Sequence, residues 1–160
     1  MTDPKIRLPV TAVLARKLVQ RARWSVPSWR AVGVVAGERL AAAGAAGELI
    51  QTAEGEDYFL WGDLELELFR DGAETYWENL TGDNPALFIV CHETEIGGLK
   101  PVTVTADPHE AFAGAETNKR VFSAQIPPEI YGIIERFVVE HHSPRPIRTR
   151  KRKNWTAESE

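Results

Sequence analysis

Metal binding, acid–base work and nucleophilic attack each need particular side chains brought to ligand or hydrogen-bond distance, and the chain is thin in all three. It has four histidines, His92, His109, His141 and His142, and one cysteine, Cys91. Their spacings match no ligand set of the Cys/His kind. His141 and His142 are neighbours, so on a helix their side chains leave about 100° apart and cannot readily chelate one ion. One of them covers the end of an apolar stripe instead, and as cations near a helix C-terminus they suit the macrodipole. Cys91 ends an apolar run and reads as a small hydrophobe rather than a nucleophile. Asp63, Glu65 and Glu67 alternate with leucines, which sets three carboxylates on one strand face. Such a row can hold a cation or meet a basic partner, but more often it is simply solvated. Asp63 and Glu65 lack any sign of the burial that would separate their pKa values into an acid and a base. No Gly-x-Ser-x-Gly turn occurs, and Gly44, Gly47 and Gly55 are too scattered to cradle a phosphate. The balance is against an enzyme, and no catalytic, cofactor-binding or metal-binding residue is assigned.

The strong charge cluster is C-terminal. Six of the nine residues from Arg145 to Lys153 are basic (Arg145, Arg148, Arg150, Lys151, Arg152 and Lys153), and Trp155 follows. These seven are the candidate partner-binding residues. Such a segment can neutralise phosphates and stack a base, dock on an acidic protein surface, or serve as a solubilising end. It completes a pattern of charge in blocks: +6 over residues 1–36, −14 over 37–142 and +4 over 143–160. Blocks of opposite sign help a surface patch find a charged partner, although they also neutralise one another on one folded surface.

The elements that must position these residues begin with one domain. Residues 1–143 form a single globular unit and 144–160 a flexible basic tail, within a chain of 160 residues that can fold alone. A hydrophobic share of 43%, with five Trp and six Phe, is globular in composition. One cysteine excludes an internal disulfide framework and fits a reducing cytoplasm. The N-terminal residues lack an apolar run of signal-peptide length, and nowhere do eighteen apolar residues stand together, so no membrane span is expected. The Asn79-Leu80-Thr81 sequon is set aside because no export signal accompanies it.

Along the chain, Leu8 to Leu18 reads as a strand, or as a helix from Ala12. A turn at Val26-Pro27-Ser28 leads into a strand from Trp29 to Val35, in which Gly33 marks a bulge or a close packing point. Trp24 and Trp29 are expected as core or rim anchors. Residues 37–57 read as a long connection with a loose helical turn from Leu40 to Ala43. Tyr58 to Arg70 is a strand with one leucine face and one acidic face, and Asp71-Gly72 turns it into a hairpin with Thr75 to Leu80. Ala86 to Cys91 is a strand buried on both faces at the sheet centre, and Pro101 to Thr105 another. Asp107, Pro108 and Glu110 have the spacing of a capping box, with Gly114 closing a short helix. A last strand, Val121 to Ile126, precedes a helix that starts at Pro128 and buries Ile130, Ile133, Ile134, Phe137, Val138 and His141 on one face. The fold class is therefore α+β: a mainly antiparallel curved sheet or small barrel of about seven strands, one short helix, and a C-terminal amphipathic helix over its open side. In element count it resembles pleckstrin-homology-like barrels, a likeness that carries no function.

Several segments together resemble a bacterial family, domain of unknown function 3305. They are Trp24 and Trp29 ahead of Ala31-Val32-Gly33-Val34, Tyr76 to Thr81, Asn84 to Val90, Val102 to Thr105 with Glu110-Ala111, and Ile126 to Glu129 leading to Phe137 to His142. The resemblance runs from about Leu8 to the basic tail and is weakest over residues 37–57. It implies a context rather than site residues, since genes of this type stand beside those of molybdenum-containing formate dehydrogenases and their accessory proteins. It thus implies a non-catalytic accessory or assembly role by protein–protein binding, the partner being a molybdoenzyme subunit or its maturation factor. Molybdopterin would belong to that enzyme, and this chain would hold no cofactor. Nucleic-acid binding through the tail is the alternative.

Overall fold

A computed structural model describes residues 6–37, 48–94, 98–114 and 117–141. Its strands are β1 (Ile6–Arg21), β2 (Trp24–Ala36), β3 (Glu48–Ala53), β4 (Glu56–Leu68), β5 (Ala86–Glu93), β6 (Leu99–Thr105) and β7 (Lys119–Gln125). The helices are α1 (Ala73–Thr81), α2 (Pro108–Ala111) and α3 (Pro128–His141). The strand order is β2-β1-β4-β6-β5-β7, with β3 added to β4. Pairing is antiparallel except between β4 and β6, which run parallel and meet at Leu66 and Val104. The end strands β2 and β7 approach within 8 Å at their Cα atoms, so the sheet is a nearly closed barrel.

Alternation drives this closure. Val10, Ala12 and Leu14 of β1, Leu66 and Leu68 of β4, and Leu87, Ile89 and Cys91 of β5 point into the core and are essentially inaccessible. Ile130, Ile134, Phe137 and Val138 of α3 complete it, at the spacing of one helical stripe. Pro128 occupies the first helical position, as its missing N–H allows. Asp107 caps α2 by accepting from the backbone N–H groups of His109 and Glu110. Glu110 does not reach back directly; the Thr105 hydroxyl donates to its Oε1 at 2.7 Å and accepts from the Asp107 N–H at 3.0 Å.

Four local expectations are corrected. The first hairpin turns at Ala22-Arg23 rather than at Pro27, which sits inside β2 opposite Leu18. This is tolerated because β2 ends the hydrogen-bonded path and needs no donor on its outer edge. Residues 48–53 are not loop but strand β3. Glu54 and Gly55, both at positive φ (53° and 82°), turn it tightly into β4. Residues 73–81 are helix α1 rather than a strand, with Ala73, Tyr76 and Leu80 buried at i, i+3 and i+7. Aromatic and β-branched residues suggest a strand there, but packing against α3 overrides that propensity. Trp24 anchors nothing: it is 70% exposed. The expected turn of helix at Leu40 to Ala43 lies outside the described residues.

Two contacts hold α1 in place. The Asn79 side chain donates to the carbonyls of Ala86 (2.8 Å) and Ala106 (2.9 Å) and accepts from the Ala86 N–H (3.1 Å), tying the helix to the start of β5 and the end of β6. The Tyr76 ring lies over Gly72, where an added Cβ would stand 2.8 Å from ring atoms. Its hydroxyl accepts from the Phe69 N–H, and the ring meets Phe137 at 6.1 Å between centroids. Replacing Phe137 with Ala should cost about 3 to 5 kcal/mol, as for large aromatic deletions in cores, whereas a near-normal urea midpoint would contradict the packing described for α3. Asn79→Ala strands three backbone groups and should cost at least about 1 to 3 kcal/mol in the same measurement.

Candidate binding surface

Strand β4 pairs with β1 only as far as Lys17 and Glu56. Beyond that point only β1 and β2 pair, from Leu18 and Pro27 to Arg21 and Trp24, as a two-stranded hairpin whose Pro27 shares a recess with Glu93, Thr94, Gly98 and Leu99. Directly opposed residues share a face, so Arg21 lies beside Trp24, Val19 beside Val26 and Lys17 beside Ser28. The hairpin exposes Trp24, Val26 and, on its other face, Leu18 at 66%. Arg21 and Arg23 are exposed and make no ion pair among the described residues. No acidic residue occurs from Pro4 to Gly37.

The root of the hairpin is neutralised. Arg30 makes a two-pronged contact with Glu56, Nε to Oε2 and Nη2 to Oε1, both at 3.0 Å, and Tyr58 joins the same network. Arg16 donates to Asp57 at 2.9 Å, and the Thr52 hydroxyl donates to the other oxygen of that carboxylate. The Arg16 guanidinium also lies 4.9 Å from the Phe59 ring centroid and 5.7 Å from that of Trp29. Trp29, Phe59 and Trp61 form a tilted aromatic cluster at the rim of the core. The hydrogen bond from Arg30 holds the Glu56 carboxyl below its ordinary range, and those from Arg16 and Thr52 do the same for Asp57.

At the opposite end of β4 stand the predicted acidic residues. Asp63 and Glu65 are exposed and Glu67 half-buried, around a recess of about 350 Å³ that also includes Pro9, Val102 and Thr103. Arg7 reaches Glu65 and Glu67 at 3.8 Å each, long and solvated contacts of little strength. The described residues contain no group of three His, Cys, Asp or Glu placed to hold a metal ion. Cys91 is inaccessible in β5, and burial pushes its thiol up to about 12, which suits a packing residue and not a nucleophile. His141 ends α3 with its ring 4.4 Å from that of Phe137. His142 and the seven tail residues Arg145, Arg148, Arg150, Lys151, Arg152, Lys153 and Trp155 lie outside the described residues. What the sequence reading passed over is the set Lys17, Arg21, Arg23 and Trp24. Its signal was present in the +6 block, whose acid-free stretch brackets an aromatic residue.

Together these residues define a small β-rich barrel with a charged, partly apolar outer surface. The chain belongs to the family described as "Protein of unknown function (DUF3305)", which matches it over residues 9–153. No curated protein and no solved structure matches it.

The two ion pairs at the hairpin root give stability a defined acid limb. Glu56 and Asp57 have folded-state pKa values below their ordinary 4.5 and 3.8, so the unfolded chain binds protons first. Their contribution is complete above those ordinary values and is lost as pH falls through the lower, folded ones. Urea midpoints measured at falling pH should therefore drop less steeply below about pH 4.5 in Glu56→Gln/Asp57→Asn than in the natural protein; identical acid limbs would refute the assignment.

Proposed function

We propose that the protein is a non-catalytic accessory or assembly protein of a molybdenum-dependent formate dehydrogenase in the bacterial cytoplasm, acting by protein–protein binding. The observation that carries the protein-binding reading is the hairpin, where exposed Trp24 and Val26 stand beside exposed Arg21 and Arg23, which make no ion pair among the described residues. Exposed aromatic residues and arginine are the side chains that most often dominate the energetics of protein interfaces. The partner is a molybdoenzyme subunit or its maturation factor, a choice that rests on the genomic context implied by the family resemblance. The likeness to pleckstrin-homology-like barrels remains one of element count and adds nothing to function. No helix among the described residues is long and apolar enough to cross a membrane.

A second reading, nucleic-acid binding through the tail, is motivated by the six basic residues between Arg145 and Lys153 and by Trp155. Co-purification from a native host with a tagged formate dehydrogenase subunit tests the first reading. The full chain should be enriched, and a deletion strain should lose formate oxidation; absence of both effects defeats the proposal. A chain truncated at Ser143, run alongside, shows whether the tail contributes to the contact. For the second reading, the full chain should bind single-stranded or duplex DNA with steep salt dependence. Binding that survives removal of the residues after Pro144 would exclude the tail as its basis.

A further inference from the structure

From Lys17 onward the two faces of the β1–β2 ribbon differ in chemistry. Opposed residues share a face, so the outer one carries Lys17 beside Ser28, Val19 beside Val26 and Arg21 beside Trp24. The inner one carries the neutral pairs Leu18–Pro27 and Gln20–Ser25. Along the outer face an apolar pair therefore lies between two cations. Lys17, Arg21, Trp24, Val26 and Ser28 are exposed there, and Val19 is half-buried. Glu56 stands opposite Lys17 but is engaged by Arg30 through both oxygens. Lys17 and Arg21 make no ion pair among the described residues. They stand about 13 Å apart along the strand, at roughly 3.3 Å per residue.

We propose that this outer face receives an acidic helix of the protein partner. An apolar residue of that helix lies over Val19, Val26 and Trp24, and carboxylates four residues to either side of it meet Lys17 and Arg21. The inference rests on the reading that the hairpin is the partner-binding surface, and it specifies what the partner brings to it. Charge complementarity selects an acidic segment, since no Asp or Glu occurs from Pro4 to Gly37. A helix is selected over an extended segment because a sheet face offers only side chains. A segment lying on that face must satisfy its own backbone groups, as a helix does and a lone strand does not. Spacing agrees: carboxylates at i−4 and i+4 share a helix face with residue i and stand about 12 Å apart, close to the separation of the two cations. Trp24 is the anchor, as a large exposed aromatic of the kind that dominates interface energetics. A nucleic acid fits less well, because its phosphates continue past the hairpin toward a body, residues 37–142, of net charge −14.

Fluorescence polarisation of labelled synthetic helices with the purified full chain tests this. An alanine-based helix carrying one Leu with Glu at i−4 and i+4 should bind at low salt. A helix of the same composition with the two Glu at i−2 and i+2, on the side away from the Leu, should bind about tenfold more weakly or not at all. Lys17→Glu/Arg21→Glu should lose the first helix and gain affinity for its counterpart with Lys in place of Glu, because the charges are then exchanged. Trp24→Ala, which leaves charge untouched, should weaken binding of the first helix about tenfold. The substituted positions are exposed, so circular dichroism should be unchanged; if a variant fails to fold, the two Glu helices decide the matter with the natural chain. Equal binding of those two helices, no binding of the first at low salt, indifference to the charge or Trp24 substitutions, or tighter binding of a DNA oligonucleotide at the same residues would each overturn the inference. Co-purification separates it from the broader reading. Hairpin variants that lose the tagged formate dehydrogenase subunit, while the helices fail to discriminate, overturn the acidic helix alone; variants that keep the subunit overturn both.

Discussion

Strand β1 is hydrogen-bonded along both edges, to β4 from Ile6 to Lys17 and to β2 from Val10 to Arg21, and the offset between those two ladders places everything else. Sixteen residues is about three times the usual strand length. The first half is spent on the core, through Val10, Ala12 and Leu14. The second half outruns it, and with β4 ending at Glu56 only β2 remains to pair with the tip. A bare two-stranded ribbon is marginal in water. The ion pairs Arg16–Asp57 and Arg30–Glu56 sit where the third strand departs, the last level at which the ribbon is held from both sides.

The helices serve this sheet rather than compete with it. Asn79 connects α1 to β5 and β6 through three hydrogen bonds, so it substitutes for ladder partners where those strands begin and end. Tyr131 of α3 donates to the Leu80 carbonyl at 3.3 Å, and Tyr76 packs on Phe137, so α1 and α3 cover the core as a pair. The sequon that begins at Asn79 is thus occupied by structure, since its amide nitrogen is already committed to two carbonyls.

Much of this was legible in the residues where one physical signal acted alone. The period-two leucines of β4, the apolar run of β5, the Asp107 cap and the stripe of α3 each followed from local periodicity or capping chemistry. Misreadings arose where local and tertiary preferences conflict. Tyr76 and Trp77 favour a strand by propensity, yet the close approach of Tyr76 to Gly72 and its contact with Phe137 exist only in a helix at that place. Pro27 signals a turn in isolation, and only the edge position of β2 makes it harmless. The expected number of strands, seven, matches by an exchange: residues 48–53 are a strand and 75–80 are not. The hairpin surface was half legible, since the charge of its block was plain but the ladder offset that exposes Trp24 depends on where β4 stops, which no local pattern encodes. Bulges were legible in one case, at Gly33 beside Val32. The extra residues Val32, Ile50 and Val102 are all exposed apolar side chains, pushed outward because a bulge shifts the register on one strand only.

The burial of Cys91 has a consequence for how the molecule can be watched. It is the chain's single thiol, it lies in β5 between β6 and β7, and its proton is held so firmly that the folded form presents almost no thiolate. A thiol-reactive dye therefore modifies molecules in which β5 has parted from β6 or β7. The labelling rate at that one atom reports how often this part of the sheet opens. The residue that chemistry would first nominate as reactive is, in this fold, a clock for how often the core comes undone.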